Sequence, residues 1–148
     1  MRTRATQVLD SKGIPYELLE FDAQAFTAAE AAERLNLPPE QIFKTLVVRS
    51  DDRQIMLACV PGNHDLNLRA LAKAAGVKRA EMVDVSDLMR LVGYVKGAVS
   101  PVGTRRVCPT YIDRSALDHA RISVSAGVRG LQIWIDPKDL VKATDAKV

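Results

Sequence analysis

One lysine and two glycine-rich loops are the residues of this chain whose types and spacing suit chemistry. Lys44-Thr45-Leu46 ends a proline-rich turn and opens an apolar strand. Gly97-Ala98-Val99-Ser100-Pro101-Val102-Gly103 lies behind a short helical pattern, and Ser125-Ala126-Gly127-Val128-Arg129-Gly130 lies between two apolar strands. An ammonium set in a pocket can hold a phosphate or carbonyl oxygen and can stabilise a developing oxyanion. Glycine lets a backbone approach a ligand closely. Each feature also has a plain reading. Lys44 alone reads as a lysine snorkelling to solvent at a strand start, and either loop alone reads as a turn, bulge or hairpin. Together they point to a pocket for something polar or anionic.

Other constellations find little support. The two histidines, His64 and His119, sit at no zinc-ligand spacing from each other or from a cysteine. Cys59 follows Ile55 and Leu57 at alternate strand positions, which makes it a small core residue rather than a nucleophile. Cys108, between Val107 and Pro109, reads the same way. There is no G-x-S-x-G elbow, no G-x-G-x-x-G and no G-x-x-x-x-G-K-[ST]. Lysine, hydroxyls and backbone amides remain.

The elements that must hold these residues follow from capping and periodicity. Thr3 can cap a first helix whose Ala5, Val8 and Leu9 share a face, with Gly13 as its stop. Residues 16–21 read as a strand. Thr27-Ala28-Ala29-Glu30 reads as a capping box opening an Ala-rich helix that ends before Pro38-Pro39. Strands over 44–49 and 54–60 flank Ser50-Asp51-Asp52-Arg53 as a hairpin. Asn67 caps a helix over 68–75 that stops at Gly76. A short strand near Met82-Val83 and a short helix over 86–92 follow. Strands are expected at 107–113, 121–125 and 131–135, and Asp136-Pro137 begins a closing helix. The interspersed elements predict a compact α/β fold around a mixed, largely antiparallel sheet flanked by helices.

At 148 residues the chain fits one domain with a real core. Its 47% apolar and 26% charged residues are ordinary for a globular protein. No apolar run reaches the roughly 20 residues of a membrane span, and Met1-Arg2-Thr3-Arg4 leads into no signal-peptide core. Two cysteines are too few for a disulfide framework and fit a reducing cytoplasm. The net charge of +3 permits an anionic partner without requiring one.

In spacing, length and flanking residues, the three segments resemble the YbaK-like prolyl-tRNA editing domains, the family of Cys-tRNA(Pro) deacylases. Val60-Pro61-Gly62 followed by Leu66-Asn67-Leu68 matches the family's stretch before its middle helix, and the resemblance runs from the first helix to Leu140. It implies one editing domain over residues 1–148, a hydrolase acting on the ester of mischarged tRNA(Pro), and no cofactor or metal. It implies tRNA as the partner, through its acceptor end, with prolyl-tRNA synthetase as a further one. Lys44 would be the catalytic residue. The substrate pocket would use Gly97, Ser100 and Pro101 on one wall and Ser125, Ala126, Gly127, Arg129 and Gly130 on the other, with Thr45 helping to orient the substrate. Phe21, or alternatively Phe26, would supply the family's N-terminal aromatic. One departure follows the R-G-L of the last loop, where many members carry Asp and this chain has Gln132.

An aminoacyl ester is already activated, so a positioned attacker and oxyanion donors could suffice, which explains the missing triad. The attacker would be water or the thiol of a cysteinyl substrate. Amides around Ala126 and Gly127 would face the ester. Arg49, Arg69, Lys73, Lys78, Arg79, Lys96, Arg105, Arg106 and Arg129 could track an RNA backbone, although most read individually as solvated surface. The alternative is a non-catalytic module binding aminoacyl-tRNA or a nucleotide-like ligand.

Overall fold

The computed structural model describes residues 2–21 and 28–148. In chain order the elements are α1 (Arg4–Ser11), β1 (Glu17–Glu20), α2 (Ala28–Leu35), β2 (Phe43–Ser50), β3 (Ile55–Pro61), α3 (Leu68–Ala75), β4 (Ala80–Met82), α4 (Leu88–Val92), β5 (Thr110–Ile112), β6 (Ile122–Ser125), β7 (Leu131–Ile135) and α5 (Pro137–Thr144). Short 3-10 turns stand at Pro39–Gln41, Val85–Asp87 and Arg114–Asp118.

Local chemistry sets most boundaries. The Thr3 hydroxyl accepts from the Thr6 amide at 3.2 Å while Thr6 Oγ1 accepts from the Thr3 amide at 2.8 Å, a reciprocal cap on α1. Asn67 caps α3 by accepting from the Ala70 amide at 3.0 Å, and Gly76 ends it in the left-handed region. Asp136 caps α5, with Pro137 at its first turn. The capping box expected at Thr27 lies outside the described residues, as does Phe26.

The strands form two sheets. One is antiparallel, in the order β1-β7-β6; the other runs β4-β2-β3-β5, with only the β3–β5 pair parallel. The expected mixed, largely antiparallel character is thus spread over two sheets rather than one. They meet at a parallel bridge between Ile42 and Ser123. All seven residues of β3 are buried, as for a strand covered on both faces. On one face Val47, Ile55 and Leu57 pack with Leu88 and Leu91 of α4; on the other, Val48, Met56 and Ala58 pack with Leu71 of α3. The main core lies under the first sheet, where Leu9, Ile122, Ile133, Ile135 and Leu140 are buried.

One strand is shorter than expected. Of 107–113 only Thr110–Ile112 pairs, beside β3. Pro109 has no N–H for a ladder, and Val107 is fully exposed. Among the described residues no helix is long and apolar enough to cross a membrane.

Candidate active site

β4 pairs with Val48–Ser50 of β2, and the Val83 amide reaches the Val47 carbonyl at 3.1 Å, so the stretch 44–46 borders open space. There a cleft of about 380 Å³ forms at the seam of the two sheets. From the second sheet it takes Lys44, Thr45, Leu46 and Val47; from the first side it takes Phe21, Ser125 and Gln132. The segment from Met82 to Leu88 and the loop at Lys96, Gly97 and Val99 close it. Its size suits a small-molecule moiety, and its walls are mainly apolar with a few convergent polar groups.

Lys44 is half-buried, and among the described residues its ammonium has no hydrogen-bond or ion-pair partner. Lys96 stands at the same cleft, and no carboxylate is among the described lining residues. The described lining is therefore positive in an apolar surround, where a cation interacts more strongly with an anion than it would in water. Gln132 is buried, and its Oε1 accepts from the buried Ser123 hydroxyl at 2.6 Å. The amide nitrogen of Gln132 has no partner among the described residues, which gives this lining residue an unused donor.

The two glycine-rich loops are clasped to each other. The Ser125 hydroxyl donates to the Ala98 carbonyl at 2.9 Å and accepts from the Gly127 amide at 3.1 Å. Arg129 Nε and Nη2 donate to the Lys96 carbonyl at 3.0 and 2.8 Å. Tyr94, buried, donates to the Val102 carbonyl at 2.7 Å. Its ring lies so close to Gly127 that a Cβ there would stand 2.6 Å from Cε1. Burial pushes the Tyr94 hydroxyl up to about 12 against an opposing pull from Arg4, so it stays a donor at neutral pH.

Of the residues singled out from sequence, the cleft gathers Phe21, Lys44, Thr45, Gly97, Ser125 and Gln132. Ser100, Pro101, Ala126, Gly127, Arg129 and Gly130 are not among its lining residues. The Ser100 hydroxyl is turned inward, accepting from the Val102 amide at 3.2 Å. The amides expected to face a substrate carbonyl are occupied: Ala126 donates to the Leu131 carbonyl at 3.1 Å, and Gly127 to Ser125. The Gly130 carbonyl holds the Phe21 amide at 2.9 Å, setting that aromatic beside the cleft. Thr45 faces its register partner Cys59, Oγ1 to Sγ 3.7 Å, so its hydroxyl is engaged within the protein. Burial raises the Cys59 thiol to about 12, opposed by that Thr45 contact, so it carries no thiolate at neutral pH. These loops build the wall rather than present their own groups through it.

Sequence reasoning missed Tyr94 as the residue that pins both loops, and it placed Lys96 only among general basic residues. The signal for Lys96 was its position directly before Gly97.

Residues 22–143 match the model of the aminoacyl-tRNA editing domain. A candidate Cys-tRNA(Pro)/Cys-tRNA(Cys) deacylase, EbsC, from Enterococcus faecalis is 36% identical, over 99% of this chain and 90% of its own. The proline–tRNA ligase of Shouchella clausii is 34% identical over 72% of this chain, although the match spans only 19% of the ligase. Among solved structures, a candidate trans-editing enzyme for prolyl-tRNA synthetase superposes with a TM-score of 0.88 at 27% identity, covering 98% of this chain and 92% of the other. The cleft lysine, the clasped loops and the match over most of the sequence agree: this chain belongs to the aminoacyl-tRNA editing domain family.

Proposed function

We propose that this protein hydrolyses the aminoacyl ester of mischarged tRNA(Pro) in trans, with Cys-tRNA(Pro) as the leading substrate and Ala-tRNA(Pro) as a second. The observation that carries the reading is the Lys44 ammonium, which among the described residues has no partner and shares its cleft with no carboxylate, in a chain of this family. The terminal adenosine and its amino acid enter the cleft between Phe21 and the Gly97 loop. Water, or the thiol of a cysteinyl substrate, attacks the ester carbonyl carbon. Lys44 stabilises the oxyanion that develops there, and the bond to the ribose oxygen breaks as that oxygen takes up the proton the attacker gives up. Attack by water leaves the free amino acid, and attack by the thiol leaves a cysteine thiolactone that water then opens. The Gln132 amide donates to a substrate oxygen rather than holding the amino group. Gly97, Ser125 and Thr45 shape the cleft; Ser100, Pro101, Ala126, Gly127, Arg129 and Gly130 support its walls. Prolyl-tRNA synthetase is the natural source of the mischarged substrate.

Purified protein incubated with labelled Cys-, Ala- and Pro-tRNA(Pro) should release cysteine and alanine faster than proline. Binding of all three without release of any amino acid would replace this reading with that of a binding module.

Selectivity follows from Gln132. Gln132→Glu keeps the length needed to reach the Ser123 hydroxyl and adds a carboxylate oxygen that can grip the substrate ammonium. Asp, which many of the resembling deacylases carry here, is one methylene shorter. A charge-assisted bond adds about 1 kcal/mol over a neutral one, roughly fivefold. Holding the ammonium fixes where the side chain lies, so the ratio of Cys to Ala deacylation should rise. An unchanged or lower ratio would refute the role given to Gln132.

Activity is expected to persist in EDTA. Only two histidines are available, neither at ligand spacing, and both cysteines are buried. The measurement uses an aminoacyl-adenosine ester, so that magnesium bound to tRNA does not enter. Loss of hydrolysis in chelator with recovery on added zinc would overturn the expectation.

A further inference from the structure

A second cavity of about 420 Å³ lies beside the first and is lined by Arg49, Arg53, Arg90 and Arg106 over Ile55 and Leu91. The side chains of Arg49, Arg53 and Arg106 have no hydrogen-bond or ion-pair partner among the described residues. Arg90 alone is paired, with Asp87 at 3.1 Å. Glu81 is the cross-strand neighbour of Arg49, and no ion pair joins them. Four guanidiniums around one cavity with a single carboxylate engaged repel one another, and an anion relieves that repulsion. Guanidinium forks suit phosphate oxygens, which they can bind two at a time.

The two cavities share elements. Val47 lines the first and Arg49, two residues on along the same face of β2, lines the second. Leu88 and Leu91, three apart on α4, divide between them in the same way. From Thr45, which lines the first cleft on the same face of β2 and stands next to Lys44, to Arg49 the strand advances about 13 Å. At about 3.4 Å per stacked nucleotide, that is roughly the length of a tRNA's unpaired 3′ end.

We infer that the arginine cavity holds the phosphate backbone of the RNA strand whose 3′ terminus occupies the Lys44 cleft, at the point where the paired acceptor stem begins. This rests on the reading of the Lys44 cleft as an aminoacyl-ester site. It assigns a site to Arg53 and Arg90, and it separates Arg49 and Arg106 from the general basic surface.

The test uses the double variant Arg53→Gln/Arg106→Gln, whose two side chains are exposed and make no contact that holds the fold. Its folding is checked by thermal melting. The probe is a fluorescent, non-acylated RNA hairpin ending in an unpaired 3′ strand, titrated by anisotropy across a series of salt concentrations. Loss of two phosphate contacts should weaken binding at low salt at least tenfold. It should also flatten the slope of log K against log salt by roughly 1.5–2. The ratio of kcat/KM on charged tRNA to that on the aminoacyl-adenosine ester should fall at least tenfold as well. Affinity and slope equal to the unmodified protein's, or equal losses on tRNA and the small ester, would overturn the inference. So would displacement of the hairpin by a poly-glutamate peptide at lower concentration than by a single-stranded RNA. Failure of the unmodified protein to hydrolyse any ester would sink the functional reading instead, while the hairpin titration would still report on the cavity.

Discussion

Lys44→Ala should lower the kcat for deacylation of mischarged tRNA(Pro) by about 10²–10³ while leaving the protein folded. That is the cost of removing one oxyanion donor from a site built around it. Lys44 is half-buried at the start of β2 and makes no hydrogen bond or ion pair among the described residues. Its removal breaks nothing in the fold, so stability should change by no more than about 0.5 kcal/mol. The check is single-turnover hydrolysis beside a thermal melt. A well-folded variant that turns over at the rate of the unmodified protein would remove Lys44 from the chemistry.

Gly127→Ala should be strongly destabilising for a change of a single methyl group. Gly127 holds φ at +101°, a backbone conformation that L side chains rarely adopt. The added carbon would also stand 2.6 Å from the Tyr94 ring. Backbone strain and overpacking together should cost about 2–4 kcal/mol, a fall in Tm of roughly 5–15 °C for a chain of this size. Because Tyr94 also holds the Val102 carbonyl, its displacement would shift both loops and lower activity at temperatures where the variant is still folded. Tyr94→Leu in the Gly127→Ala background should recover the part of the loss due to the clash but not the part due to φ. A melt of the single variant within 2 °C of the unmodified protein's would contradict this account.

The local grammar of the chain was legible, and its long-range partnerships were less so. Thr3, Asn67, Gly76 and Asp136-Pro137 each act on backbone groups within a few residues, and the helices begin or end where those residues stand. The apolar run around Lys44 marked β2, and the three chemistry-bearing segments do converge. What could not be read was how each polar group is used once the chain closes. Ser125 and Thr45 looked like substrate ligands because hydroxyls in a loop and beside a catalytic lysine suit that work. Their partners, Ala98 and Cys59, are set by contacts between separate elements. Tyr94 went unremarked because its role depends on how two loops fold onto it, one through the Val102 carbonyl and the other at Gly127. The division into two sheets depends on pairing β1 with β7, the two ends of the chain, a pairing that no local pattern announces.

The seam that joins those sheets divides the work of the site. Lys44 belongs to the sheet built on β2 and β3, while Gln132 and Ser125 belong to the one built on β6 and β7, with Phe21 directly after β1. On the proposed reading, the ammonium that acts on the ester and the residues that shape the space around the attached amino acid therefore sit on separate frameworks. Under that reading, substrate preference would drift through changes in the first sheet, or in how the two sheets lean on each other near Ile42 and Ser123, while the Lys44 ammonium keeps its place. An editing domain built this way can be retuned for a different misacylated amino acid without having to reinvent its hydrolysis.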